Sequence, residues 1–327
     1  MTTTDTAARP SPMGRLRSIN SEQLREYTLV GVLLVLIIAG TIINDRFLTT
    51  SNLLTVLTQA SVVGVVSIGM TFVITTGGID LSVGSVLAAS AVAGGVVAEA
   101  FPSIEGIGFI VGAVLFGLLL GAVNASAITF GRVVPFIATL AMFLAARGIA
   151  LAMSGQAPIS TLNNDMVRWF GNGKIIGFPV PVIVFALVTI AGWVLLNRTA
   201  YGRYVVAVGG NREAARISGI RVNRIVFSVY ALSGLCTGIA AVMLAGRLAS
   251  ASPVSGSLLE LDSIAAVVIG GTSLSGGKGT IVGTTLGVMT FALIFNLLNL
   301  LSLPVEFQQI VKGAIIVLAV VLQRRDD

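Results

Sequence analysis

Residues 198–224 read RTAYGRYVVAVGGNREAARISGIRVNR. They place six arginines, Arg198, Arg203, Arg212, Arg216, Arg221 and Arg224, between two long apolar runs. Only 10% of the chain is charged, so six cations in one loop mark a segment held in water beside an apolar body. The middle of the stretch predicts a short helix. Asn211 is placed to cap it by accepting from first-turn N–H groups. Glu213 then lies at the positive end of the helix dipole and Arg216 near the negative end. Ala214 and Ile217 fall on one face, and Gly219 is suited to a left-handed stop. A helix of about two turns is not stable alone in water. It has to dock on something.

Working outward from this loop, 55% of the 327 residues are hydrophobic and the mean hydropathy is +0.97. That excess predicts an all-α polytopic membrane protein. Apolar runs at 27–43, 53–76, 79–97, 107–130, 134–153, 179–196, 225–245, 261–271, 280–301 and 305–322 predict about ten transmembrane helices. The expected domains are a cytoplasmic N-terminal tail (1–26), a transmembrane domain (27–323) and a cytoplasmic C-terminus (324–327). The loop at 197–224 lies within the second of these, and a polar passage covers 154–178.

Ten spans put both termini on one side. With that side inside, fourteen of the twenty Lys and Arg residues are cytoplasmic, and four (Arg46, Arg168, Lys174, Arg247) are outside. The remaining two, Arg147 and Lys312, lie within spans. This satisfies the positive-inside rule, and adding or removing one span would spoil it. The net charge of +6 is thereby assigned to topology, and no nucleic-acid partner is expected.

Catalytic readings have little to stand on. The chain has no histidine, and its one cysteine, Cys236, lies in an apolar run, so it forms no internal disulfide and suggests no metal site. The passage Gly271 to Gly279 looks at first like a phosphate loop. Counting back from Lys278, however, Thr272 stands where a P-loop needs glycine, and Gly279 where it needs Ser or Thr. No nucleotide or other cofactor is expected on this chain.

There is a local repeat. Gly77-Gly78-Ile79-Asp80-Leu81-Ser82-Val83-Gly84 lines up with Gly270-Gly271-Thr272-Ser273-Leu274-Ser275-Gly276-Gly277. Each copy interrupts the apolar pattern, as in glycine-broken helices along a transport pathway; tight turns at the membrane face explain the same residues. Asp80 and Lys278, each just past a Gly-Gly break, are candidates to pair there. Polar side chains within spans, among them Gln59, Thr71, Asn124 and Asn296, suit a hydroxyl-rich solute as a set, although any one of them serves equally as an interhelical hydrogen bond. Arg147 and Lys312 are the ionisable groups an ion- or proton-coupled secondary transporter would use.

Four separated stretches carry a family resemblance. FLTTSNLLTVLTQASVVGVVSIGMTFVITTGGIDLSVGS (47–85), VPFIATLAMFLAARG (134–148), GRYVVAVGGNREAARISGIRV (202–222) and IAAVVIGGTSLSGGKGTIVGT (264–284) stand in the right order. Together they resemble the ribose-type sugar permeases of ABC importers. The order Glu213-Ala214-Ala215…Gly219 is similar to the coupling motif by which such permeases dock a short helix on their ATPase. The apolar-proline tail of maltose-type permeases is missing, with Val229, Tyr230, Ala231 and Leu232 in its place. The resemblance implies a homodimer in the bacterial inner membrane, working with a tandem-cassette ATPase and a periplasmic sugar-binding protein. It implies ATPase coupling through Gly209, Gly210, Asn211, Glu213, Ala214, Ala215 and Gly219. The pathway or gate candidates are Gln59, Thr71, Gly77, Gly78, Asp80, Asn124, Arg147, Gly270, Gly271, Lys278 and Asn296.

Overall fold

Helices at 50–75 and 222–248 form the centre around which the others pack. The computed structural model describes residues 21–323; the expected C-terminal segment and the tail up to residue 20 lie outside them. The helices are α1 (Ser21–Ile43), α2 (Thr50–Thr75), α3 (Val83–Ala100), α4 (Glu105–Thr129), α5 (Pro135–Met153), α6 (Asp165–Asn172), α7 (Val180–Arg198), α8 (Ala200–Gly210), α9 (Arg212–Ile217), α10 (Val222–Leu248), α11 (Leu259–Ile269), α12 (Ile281–Leu300) and α13 (Val305–Gln323). A 3-10 turn (Pro102–Ile104) and four two-residue strands complete the regular structure of the described residues: β1 (Ile159–Ser160), β2 (Lys174–Ile175), β3 (Phe178–Pro179) and β4 (Ser250–Ala251). β1 pairs antiparallel with β4, and β2 with β3.

Helix starts follow local chemistry. Thr49, Thr199 and Thr280 cap α2, α8 and α12 by accepting from Asn52 N, Gly202 N and Gly283 N, while Pro135 opens α5 without losing a needed N–H. Among the described residues seven helices are long and apolar enough to cross a membrane: α2, α3, α4, α5, α7, α10 and α12. The protein is an all-α polytopic membrane protein. The expected first span at 27–43 is the apolar part of a helix that runs back to Ser21.

α4 and α10 meet backbone to backbone. Gly117 and Gly121 on one face Gly234 and Gly238 on the other. A Cβ at Gly117 would lie 2.5 Å from the Gly234 carbonyl, and one at Gly121 2.6 Å from that of Tyr230. These are two reciprocal GxxxG faces, which let helices approach without a side chain between them. α6 caps the far end of α10 in the same way, with Gly171 against the Gly246–Arg247 backbone.

One expected span starts late and one is as short as its sequence implies. The third was expected from residue 79, but the chain is unwound from Gly78 to Ser82 and α3 begins at Val83. α11 has 11 residues, about 16 Å of helix, roughly half a bilayer core. An irregular segment, 252–258, precedes it.

Candidate functional site

The charged loop forms α8 and α9, joined at Asn211. The Asn211 side chain accepts from Ala214 N at 2.9 Å, as its cap position requires. At the other end, Ile220 N donates to the Ala215 carbonyl and Gly219 N to that of Arg216, each at 3.0 Å. Gly219 has φ +83°. This pair of bonds around a left-handed glycine closes the helix and satisfies its last carbonyls. Glu213 and Arg216 form a 2.7 Å ion pair on the outside, and the Glu213 hydrogen bond and charge raise the Arg216 pKa. Ala215 is buried and anchors α9. Ala214 and Ile217 share the outward face, with Ile217 79% exposed. A capped helix of six residues thus presents an apolar side chain and an ion pair to whatever covers it.

Behind α9, three separate stretches converge on α8's last turn. Gly277 N donates to the Thr75 carbonyl at 2.9 Å, joining the two glycine-rich breaks. Gly209 lies between them. A Cβ there would collide with the Thr75 carbonyl and come within 2.5 Å of Gly277 N. A Cβ on Gly276 would lie 2.8 Å from the Gly209 carbonyl and 2.9 Å from Gly77 N. Gly77, Gly276 and Gly277 all have positive φ, a conformation that glycine adopts without steric cost. Arg212 adds a contact to the Thr76 carbonyl at 3.4 Å. Gly270 and Gly271 do not join this knot, and Gly270 packs on Gly283 of α12 instead.

Past Gly78, which lies against the Tyr230 hydroxyl, the unwound stretch turns into the bundle. Asp80 is 2% exposed. Its Oδ1 accepts from Ser82 N at 3.0 Å and Ser82 Oγ at 2.6 Å, and its Oδ2 from Ser233 Oγ at 3.0 Å. Asn124 donates to Ser82 Oγ at 2.8 Å. The carboxylate takes its donors from α10 and its own turn, and Asn124 of α4 supports it through Ser82. Lys278, the partner expected for Asp80, is not among these donors and is exposed on the other break.

The other polar candidates are dispersed. Thr71 and Thr284 link α2 to α12 at 2.8 Å between hydroxyls. Asn296 and Asn52 clasp each other through two amide hydrogen bonds of 2.8 and 3.0 Å. Gln59 is exposed on α2. Arg147 donates to the carbonyls of Pro253 and Ser255 at 2.6 and 3.0 Å. Lys312 holds both oxygens of Asp262 at 2.8 and 2.9 Å and stands 4.8 Å from the Phe295 ring centre.

Sequence reasoning missed Ser82 and Ser233 as the partners of Asp80, Asp262 as the partner of Lys312, and the role of Gly276 and Gly277 beside Gly209. Only the last carried a local signal, the run Ser275-Gly276-Gly277-Lys278-Gly279.

An all-α membrane body with a short capped helix wired to two glycine breaks suits a transport permease. Residues 52–320 match the family described as branched-chain amino acid transport system / permease component, and the chain belongs to that family. It is 46% identical over 300 residues to the ribose import permease of Bacillus subtilis (strain 168), covering 90% of this chain and 91% of that protein. The ribose import permease of Escherichia coli (strain K12) is 42% identical over 307 residues, covering 92% and 94%. The xylose transport system permease of the same strain is 32% identical over 373 residues, covering 94% and 93%. The chain is a multi-pass membrane permease, not an enzyme.

Proposed function

We propose that the chain is the permease subunit of an ABC importer for a monosaccharide or related polyol, working in the bacterial inner membrane. The observation that carries this reading is α9: small, capped at both ends, outward-facing at Ile217, and tied through Gly209 to both glycine breaks. A partner that pushes on α9 moves backbone at both breaks together, because no side chain lies between them to absorb the motion. α1 to α5, α7 and α10 to α13 are the ten spans, with both termini and α9 in the cytoplasm, as the charge distribution favours. A tandem-cassette ATPase docks on α9, and a second copy of the chain completes the pathway. ATP-driven closure of the cassettes then biases the dimer between outward and inward states.

At the opposite end, the end of α6, the β2–β3 hairpin, the first turns of α2 and Arg247 of α10 line a cleft of about 340 Å³ that includes Lys174. This is the surface offered to a periplasmic sugar-binding protein. The sugar class rests on the ribose and xylose permeases among the relatives.

The test is purification of the tagged chain from native membranes, followed by reconstitution. Recovery of a stoichiometric two-cassette ATPase, with sugar uptake that needs ATP, is the expected result. A chain that purifies alone and moves solute down an ion gradient without ATP would overturn the reading.

A further inference from the structure

The segment between β4 and α11 is bracketed by two non-glycine residues in the left-handed region, Ala249 at φ 51° and Leu258 at φ 65°. Such conformations persist where their surroundings hold them, and they cluster at working sites. Its depth in the bundle follows from two contacts along α3. Ala251 pairs with Ile159, whose side chain packs on Gly95. Five residues later the Gly256 carbonyl lies against Gly84. Gly95 and Gly84 are eleven residues apart on one helix, about 16 Å. The segment therefore descends alongside α3 instead of crossing its end.

Val254 is 62% exposed, and Ser257 and Leu258 are exposed beside it. Irregular backbone at that depth is not tolerated against lipid, only against protein or a water-filled cavity. Glu260, in the first turn of α11, is 7% exposed, and its Oε2 has no hydrogen-bond partner. That oxygen lies against Gly84, at the positive end of α3. Ser263 Oγ, one turn along α11, and Ser85 Oγ, beside Gly84, are also buried without partners.

We propose that Pro253–Leu258 faces the aqueous pathway and that Glu260 is a contact point for a neutral, hydroxyl-rich solute. The Oε2 acceptor is vacant, and a solute hydroxyl supplies the donor it lacks. Ser263 and Ser85 can donate or accept toward the same solute. Arg147 is a positioning residue: its bonds to the Pro253 and Ser255 carbonyls pin the segment, and its positive charge offsets that of Glu260. This proposal rests on the sugar-importer reading and names where in the chain the solute is met.

The experiment uses the chain reconstituted with its ATPase and binding protein, with D-ribose, D-xylose and D-allose as probes. Glu260→Gln keeps the size of the side chain and removes its charge. Maximal sugar uptake should fall at least about tenfold, the loss expected for a hydrogen bond to a charged acceptor. ATP hydrolysis stimulated by the binding protein should persist, and Glu260→Asp should recover part of the uptake. Wild-type uptake in Glu260→Gln, or loss of ATP hydrolysis in parallel, overturns the solute contact. Separately, Ser257→Cys in a Cys236→Ala background should react with a charged, membrane-impermeant thiol reagent, more slowly when sugar is being transported. Reaction only with a lipid-soluble maleimide overturns the assignment to the pathway. If the wild type moves none of the three sugars on ATP, the importer reading fails, while the labelling result still decides whether the segment faces water.

Discussion

At Gly209 a single hydrogen atom stands where any other residue would place a carbon against the Thr75 carbonyl. Overpacking of a tight site costs about 1–3 kcal/mol. Gly209→Ala should therefore lower the thermal midpoint in detergent by a few degrees. It should also lower the sugar moved per ATP hydrolysed, since the strained contact is the one that joins α9 to the breaks. An unchanged ratio would mean the knot is packing alone. Glu213→Lys acts differently: Glu213 is exposed, so the variant should insert normally, yet hydrolysis should come uncoupled from uptake. Normal uptake would remove Glu213 from the coupling surface. The sequence disclosed Asn211, Glu213 and Gly219 because capping is local, with donor and acceptor at most five residues apart. It could not disclose the environment of Asp80, whose hydroxyl and amide neighbours come from α10, α4 and its own turn, 153 and 44 residues away in the first two cases.

Among elements, the α4–α10 pair depends on four glycines that touch each other's backbone. Gly117→Ala and Gly234→Ala each insert a methyl group into the same interface. Each should destabilise the protein, and the double variant should show an interaction energy of about 0.5 kcal/mol or more, because one shift of the helices accommodates both. Strict additivity of the thermal or denaturant midpoints would mean that the helices separate independently at the two sites. The GxxxG spacing at 117–121 and 234–238 is visible in the sequence, but nothing there says which two faces meet. Broken helices show the same limit. Gly77-Gly78 and Gly270-Gly271 announce interruptions, and the repeat was readable. What could not be read was that Gly77 meets Gly276 across the copies while Gly277 packs on Gly209 and Gly210, or that an irregular segment with no Gly-Gly pair to mark it leads into α11.

For the whole molecule the open question is what drives transport, and the partners of Arg147 and Lys312 bear on it directly. An ion-coupled carrier needs a titrating group that changes partners during its cycle. Arg147 is committed to two backbone carbonyls, and Lys312 to both oxygens of Asp262 beneath an aromatic ring. That second arrangement joins α13 to α11 and reads as a fixed fastener. Removing one partner of a fully buried ion pair costs about 3–5 kcal/mol, and less for this half-buried one, whereas replacing both with apolar groups of similar size is often neutral. Lys312→Met alone should thus be destabilised, Asp262→Leu alone likewise, and the double variant Asp262→Leu/Lys312→Met should recover most of the stability. If energy enters through α9, the double variant should also retain ATP-driven uptake with little dependence on membrane potential or pH gradient. Loss of uptake in a stable double variant, with ATP hydrolysis intact, would instead place the pair on the transport cycle and return the ion-coupled reading to the front.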